Sequence, residues 1–235
     1  IDEFSKLELD KQNDFQPILN FSFINTHKKN EIIILGDILD RGEHDKACLA
    51  LLLDLAYREN SPLKIVMGDH ELYGLYNLDT CPPIIFPSNY YHNQKIYCSD
   101  TYYLLIRNAL KKAFRDGIIK LAHVGDGSML YSHSMLTKNW LRDQKPKTGD
   151  CLIAFDYLLE MKFLIKNNIR DYILNLNKVI DYLNSKFIEI SINGLENIED
   201  LQSMFRSELS PFWNRGTGDT LPLLGCIGHI NQKVF

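Results

Sequence analysis

Short apolar runs alternate along the chain with longer segments whose apolar residues recur at helical spacing. Buried strands are predicted for the β-branched run Ile32–Leu35 and for Leu63–Met67, each of which is followed by a glycine. Helices are predicted for Asp45–Tyr57 and Thr101–Arg115, where apolar residues recur on one face. Strands and helices that alternate in this way are typical of an α/β fold.

The remaining pattern predicts a hairpin, a pair of helices and a last strand. Gly125-Asp126-Gly127 separates Ile118–Val124 from Ser128–Ser132, and such a turn favours positive φ. Leu152–Phe187 is interpreted as two helices that break near Asn167-Asn168, and Leu223–Ile227 as a final buried strand. Two further elements are predicted near the start, a strand around Leu7 and Leu9 and a short helix over Phe15–Phe23.

Composition and charge narrow the class of protein. The 235 residues are 45% hydrophobic and 24% charged, which is typical of a well-packed globular protein, and one domain is the default for this length. The net charge of -4 gives no sign of a nucleic-acid partner or of an acidic membrane surface. The longest apolar stretch, Ala47–Tyr57, is interrupted by Asp54 and is too short to cross a bilayer.

Cysteine usage and the chain ends bear on the compartment. The five cysteines are scattered without a CxxC pair, so a reducing compartment is expected. No signal peptide opens the chain, so a cytoplasmic location is expected. Because the sequence starts at Ile1, the natural N-terminus is expected to lie elsewhere.

Acidic and imidazole side chains follow four separate predicted strands. Asp37 and Asp69 come directly after the first two buried strands, His133 ends the return strand of the hairpin, and His229 follows the last strand. In α/β sheets, ligands bind beyond the carboxyl ends of the strands. Carboxylates and imidazoles gathered there would repel or stay unsatisfied without a cation. These residues therefore predict a metal site of nitrogen and oxygen ligands, with Asp37 as the bridging ligand.

Several motifs together resemble a known family. GDxxDRG at 36–42, GDHE at 68–71, the strand-borne His133 and the late Gly228-His229 are similar to the calcineurin-like metallophosphoesterases, in particular their phosphoprotein phosphatase branch. The resemblance implies an α/β fold, namely a metallophosphoesterase-like β-sandwich of two mixed sheets flanked by helices. It also implies one catalytic domain over residues 1–235, with a helical insertion at about 151–190.

The resemblance implies a cofactor of two divalent metal ions, with manganese expected and iron or zinc as alternatives. The implied metal ligands are Asp10, Asp37, Asp69, His133 and His229. Asp37 would bridge the two ions, Asp10 would belong to the first site, and the other three would complete the second. The family's first motif is altered, because Gln12 stands where a metal-binding His is usual. Asp69 replaces the usual Asn and adds a negative charge.

The resemblance also implies the residues that handle the substrate. His70 would be the general acid, oriented by Asp40, while Arg41 and Arg215 would bind the phosphate oxygens. Two alternatives stay open from the residues alone. Asp40 and Arg41 could form an ion pair that stabilises a turn, and Arg215 could stack on the nearby Trp213.

The expected function is a phosphoprotein phosphatase that hydrolyses phosphoserine or phosphothreonine, or else phosphotyrosine, by direct attack of a metal-bridging hydroxide. The partner would be a phosphoprotein substrate, with no nucleic acid and no membrane span. The alternatives are a dinucleoside-polyphosphate or small-molecule phosphohydrolase, and an inactive phosphoprotein-binding scaffold that Gln12 would explain. The helical insertion is either a packed extension or a docking surface. Its Asn/Lys/Ile-rich composition would suit a bacterial or parasite effector secreted into a host cell.

Overall fold

The computed structural model describes residues 31–39, 44–75, 101–125, 128–161 and 168–193, together with 211, 221 and 225–227. These residues fall into two compact units, one up to Lys120 and the other from Leu121 onwards, which are taken separately below. That residues 1–235 form a single catalytic domain stays a prediction. The strand and helix predicted before residue 31 lie outside the described residues.

The first unit is a parallel sheet with helical connections. Its strands are β1 (Ile32–Ile34), β2 (Leu63–Val66) and β3 (Ile119–Lys120), and its helices are α1 (Asp45–Tyr57), α2 (Asp69–Leu75) and α3 (Thr101–Arg115). The strand order is β1-β2-β3, and both neighbouring pairs are parallel. The carboxyl ends of β1 and β2 therefore lie side by side, because helix α1 carries the chain back between them. This arrangement confirms the α/β class.

Packing explains why these segments fold as they do. Ile65 and Val66 of the central strand β2 are fully buried, as expected of a parallel strand. Helix α3 buries one stripe, which includes Leu110 and Phe114. It ends where Gly117 takes φ +71 and the Ile118 N–H donates to the Ala113 carbonyl, and this ending leads the chain directly into β3.

The second unit contains a mixed sheet and three helices. Its strands are β4 (Ala122–Val124), β5 (Leu130–Ser132) and β6 (Gly225–Ile227), and its helices are α4 (Lys138–Gln144), α5 (Asp150–Glu160) and α6 (Ile169–Asn193). Strands β4 and β5 form the predicted antiparallel hairpin, and β6 pairs in parallel with β5. The described part of the first sheet is wholly parallel, so only this second sheet is mixed. That the two sheets pack as a sandwich stays a prediction.

One predicted strand is divided in two. The segment Ile118–Val124 was expected to be one strand, but Leu121 separates β3 from β4, and the two strands belong to different sheets. The Leu121 N–H donates to Oδ1 of Asn184 at 2.8 Å instead of to a neighbouring strand. A side chain of helix α6 therefore takes over a backbone hydrogen bond at the point where the chain changes sheet.

The two helices predicted over Leu152–Phe187 are observed as α5 and α6, and that they form an insertion stays a prediction. Phe155 of α5 packs edge-on against Tyr182 of α6, with ring centroids 5.6 Å apart. The buried Lys138 donates through Nζ to the Met161 carbonyl at 2.7 Å, which satisfies an acceptor at the carboxyl end of α5. The pair is thus tied to the rest of the second unit by polar contacts as well as by its apolar face. None of the helices among the described residues is long and apolar enough to span a membrane.

Candidate metal centre

Three of the predicted site residues come together at the carboxyl edge of the parallel sheet. Asp37 lies in the loop after β1, and Asp69 and His70 are the first two residues of α2, directly after β2. Each offers one ligand atom, and these atoms all lie within 4.8 Å of one another. Their proximity follows from the parallel pairing of β1 and β2, which places the two loops next to each other.

The backbone at Asp37 has an uncommon conformation. Asp37 has φ +56, directly after Gly36 at φ +82, so two successive left-handed residues turn the chain away from β1. Aspartate tolerates this region better than most residues, but the conformation still costs free energy and persists only where neighbouring contacts hold it. Those contacts come from the second loop.

The Glu71 carboxylate holds the loop after β1 in this conformation by accepting four hydrogen bonds from backbone N–H groups. Its Oε2 accepts from Asp37 and Gly68, both at 2.9 Å, and its Oε1 accepts from Ile38 at 2.7 Å and Leu39 at 3.0 Å. The residue is fully buried, and these donors compensate for the loss of water around its charge. One carboxylate therefore joins the loop after β1 to the loop after β2.

Gly68 lets the two loops approach closely. A Cβ atom at this position would lie 2.6 Å from the Asp37 nitrogen and 2.6 Å from Asp37 Oδ1, well inside van der Waals contact. It would also lie 3.0 Å from Glu71 Oε2. Only glycine fits here without displacing Asp37.

The comparison with protein families agrees with this geometry. Residues 10–185 match the model of the calcineurin-like phosphoesterase family, a range that covers well over half of the chain. This chain belongs to the calcineurin-like phosphoesterase family. No curated protein and no solved structure is similar enough to count as a match. Membership of this family supports a metal-dependent phosphoesterase activity with bound divalent metals. The group of Asp37, Asp69 and His70 is a candidate binding site for such a metal ion.

The donor set of this phosphoesterase fits a divalent ion. His70 Nε2 lies 3.9 Å from Asp37 Oδ2 and 3.9 Å from Asp69 Oδ2, which is too far for direct hydrogen bonds. Ligand bonds of about 2.0–2.2 Å place two donors roughly 3 to 4.4 Å apart around one ion, so these separations suit an ion held by the carboxylates with His70 beside it, either as a further ligand or as an acid. Asp69 and His70 are almost fully buried, whereas a quarter of the Asp37 side chain is exposed. Burying two carboxylates together is unfavourable unless a cation offsets their charge.

His133 lies in the second unit of the phosphoesterase. It directly follows β5 and is 2% exposed, and on either side of it Ser132 Oγ donates to the Ser134 carbonyl at 2.6 Å. Its position at a strand end agrees with the sequence prediction, but its role as a metal ligand stays a prediction. The other predicted site residues, Asp10, Asp40, Arg41, Arg215 and His229, lie outside the described residues.

Glu71 was not among the predicted site residues, although it is the last letter of the GDHE motif. A signal for it was present in the sequence. Gly68 precedes helix α2, and a Glu three positions later commonly reaches back to the N–H of the residue that precedes a helix. The observed bond from the Gly68 N–H to Glu71 is this contact. The bonds to residues 37–39 could not be foreseen, because they depend on the pairing of β1 with β2.

Proposed function

We propose that this phosphoesterase removes phosphate from proteins, with phosphoserine or phosphothreonine, or else phosphotyrosine, as the group attacked. The observation that supports it is the meeting of Asp37, Asp69 and His70 at one sheet edge, in the order that the phosphoprotein phosphatase motifs require. Two divalent ions, with manganese first among the candidates, are part of the proposal. A docking role for the α5–α6 pair and the packing of the two sheets as a sandwich belong to it as well.

Different residues of the chain would bind the metal ions, bind the phosphate and donate the proton. Asp37 and Asp69 would hold the ions, joined by the ligands Asp10, His133 and His229 that the resemblance supplies. Bound divalent ions supply activation of water and neutralisation of negative charge on the phosphate oxygens. The remaining tasks are to bind the phosphate and to supply a proton to the leaving oxygen, and both fall to other side chains.

His70 would donate the proton, and two arginines would hold the phosphate. A general acid contributes about 10²–10⁴ in rate, whereas hydrolysis of phosphate monoesters requires up to about 10²¹, so His70 is an accessory to the metal chemistry. Arg41 and Arg215 suit the non-bridging oxygens because the planar guanidinium binds two of them at once. Asp40 would hold the His70 ring in its orientation.

A substrate panel tests the proposal. The full chain with added Mn²⁺ should hydrolyse p-nitrophenyl phosphate and phosphopeptides much faster than diadenosine tetraphosphate. Asp37→Ala should lose both bound metal and turnover, because the proposed bridging ligand is gone. Faster turnover of diadenosine tetraphosphate would favour a small-molecule phosphohydrolase. Folded protein that binds phosphopeptides without any turnover would favour a scaffold.

A crystal grown with manganese tests the placement of the ligands. Asp37, His133 and His229 should converge on the ions, as the family resemblance implies. If these three side chains bind no common pair of ions, the proposed centre is wrong.

A further inference from the structure

We propose that Glu71 is a positioning residue that fixes the direction of the Asp37 carboxylate for metal binding. The inference rests on the proposed metal centre and extends it to a residue that holds no ion and contacts no substrate. It is carried by the four backbone hydrogen bonds that meet at the Glu71 carboxylate.

Three of the four donors are consecutive residues. The N–H groups of Asp37, Ile38 and Leu39 all point at one carboxylate, which is possible only if the chain curves around it. The positive φ values of Gly36 and Asp37 produce that curve. The anion therefore stabilises the conformation in which the Asp37 side chain lies beside those of Asp69 and His70.

Glu71 is unsuited to a direct metal role. Both of its oxygens already accept two hydrogen bonds each, and the residue is fully buried. It is also outside the group of side chains whose ligand atoms lie within 4.8 Å of one another. Its contribution to a metal ion would therefore pass through the position of Asp37.

Glutamine is nearly the same shape but cannot replace this carboxylate. An amide has one acceptor oxygen, and its NH₂ group would face two backbone donors. In one orientation the contacts to Asp37 and Gly68 are lost, and in the other those to Ile38 and Leu39 are lost. Either result removes half of the contacts that hold the loop, while the volume of the side chain stays almost the same.

The test measures manganese affinity in the full chain, with Asp54→Asn as the matched control. Asp54 is another buried carboxylate of the first unit, and it accepts from Arg58 at 2.6 and 3.2 Å, away from this loop. Titration calorimetry with Mn²⁺ gives the dissociation constant, and thermal melting of the metal-free protein gives stability. Both variants should melt earlier than the wild type. Only Glu71→Gln should weaken Mn²⁺ binding, by about 10–100-fold, as for other residues that orient metal ligands.

The outcomes separate the inference from the proposed function. Mn²⁺ affinity within about twofold of wild type in folded Glu71→Gln would overturn the inference, and so would an equal loss in Asp54→Asn. If Glu71→Gln does not fold, the same Mn²⁺ titration is made on Glu71→Asp, which keeps the charge but is too short to reach all four donors. Weaker Mn²⁺ binding by Glu71→Asp would support the inference, and wild-type affinity would overturn it. Wild-type protein that binds Mn²⁺ without phosphatase turnover would refute the proposed function and leave the inference standing. Wild-type protein that binds none of Mn²⁺, Fe²⁺ and Zn²⁺ would refute both.

Discussion

Replacing Gly68 with alanine should disturb the candidate metal centre, because the new side chain would be too close to Asp37. The new Cβ would lie 2.6 Å from both the nitrogen and Oδ1 of Asp37, whereas ordinary contact begins at 3.4 Å, so the two loops must separate by about 0.8 Å. Metal sites tolerate errors of only about 0.2 Å in ligand distance. Misplacement of a reacting group by about 1 Å costs roughly 10²-fold in rate, and overpacking costs about 1–3 kcal/mol in stability.

Gly117→Ala is the control for this experiment. Gly117 has φ +71 and open space around its missing Cβ, so alanine there costs about 1–2 kcal/mol of backbone strain without touching the site. Urea unfolding, Mn²⁺ titration and hydrolysis of p-nitrophenyl phosphate would be measured for both variants. Gly68→Ala should lose metal affinity and about 10²-fold in kcat/KM, while Gly117→Ala should lose stability alone. If Gly68→Ala keeps wild-type metal affinity and rate, the close approach of the two loops does not position Asp37.

Three further changes address the proposed general acid His70, the buried Tyr172 and the contact of helix α6 with the start of β4. His70→Ala should lower kcat by about 10²–10⁴ with Mn²⁺ stoichiometry unchanged, and a parallel loss of metal would show that His70 is a ligand instead. Burial raises the pKa of Tyr172 to about 12, so the unfolded chain loses this proton first and stability falls as pH rises above about 10. In urea unfolding at pH 8 and pH 11, the wild type should lose about 1.4 kcal/mol more than Tyr172→Phe, and equal losses would contradict this. Asn184→Ala should cost about 1–3 kcal/mol because backbone groups of Leu121 and Ala122 lose their hydrogen-bond partner. Asn177→Ala, whose amide donates to the Ile173 carbonyl of its own helix, should be nearly neutral by the same measurement.

The sequence predicted those elements whose pattern is long and regular. Helices Asp45–Tyr57 and Thr101–Arg115 have the predicted ends, because each combines an apolar stripe with a clear stop signal. The short helices α2 and α4 were not predicted, since seven residues carry too little periodicity to identify a helix. The division of the predicted strand at Leu121 depends on Asn184, a residue far along the chain, and local sequence holds no sign of that contact.

The candidate site was predicted in part, for a related reason. Asp37, Asp69 and His70 follow from strand ends and from motif letters, and the structure brings all three together. The contact of Glu71 with the Gly68 N–H could have been predicted from the motif, but its bonds to residues 37–39 could not, because they depend on the neighbouring loop. The motif therefore identifies the candidate ligands, whereas the support that the buried Glu71 carboxylate gives to the Asp37 loop is visible only in the structure.

The polar contacts of the α5–α6 pair bear on how its role can be tested. Cutting this pair out would remove the side chain that completes the start of β4, and it would leave the buried ammonium of Lys138 without its acceptor on Met161. A loss of activity in the shortened protein would then reflect misfolding and not the loss of a docking surface. Point changes at Ile153 and Leu174, which project into solvent with 68% and 55% of their surface exposed, leave those contacts intact. Replacing them with serine is the cleaner way to ask whether protein substrates use this surface.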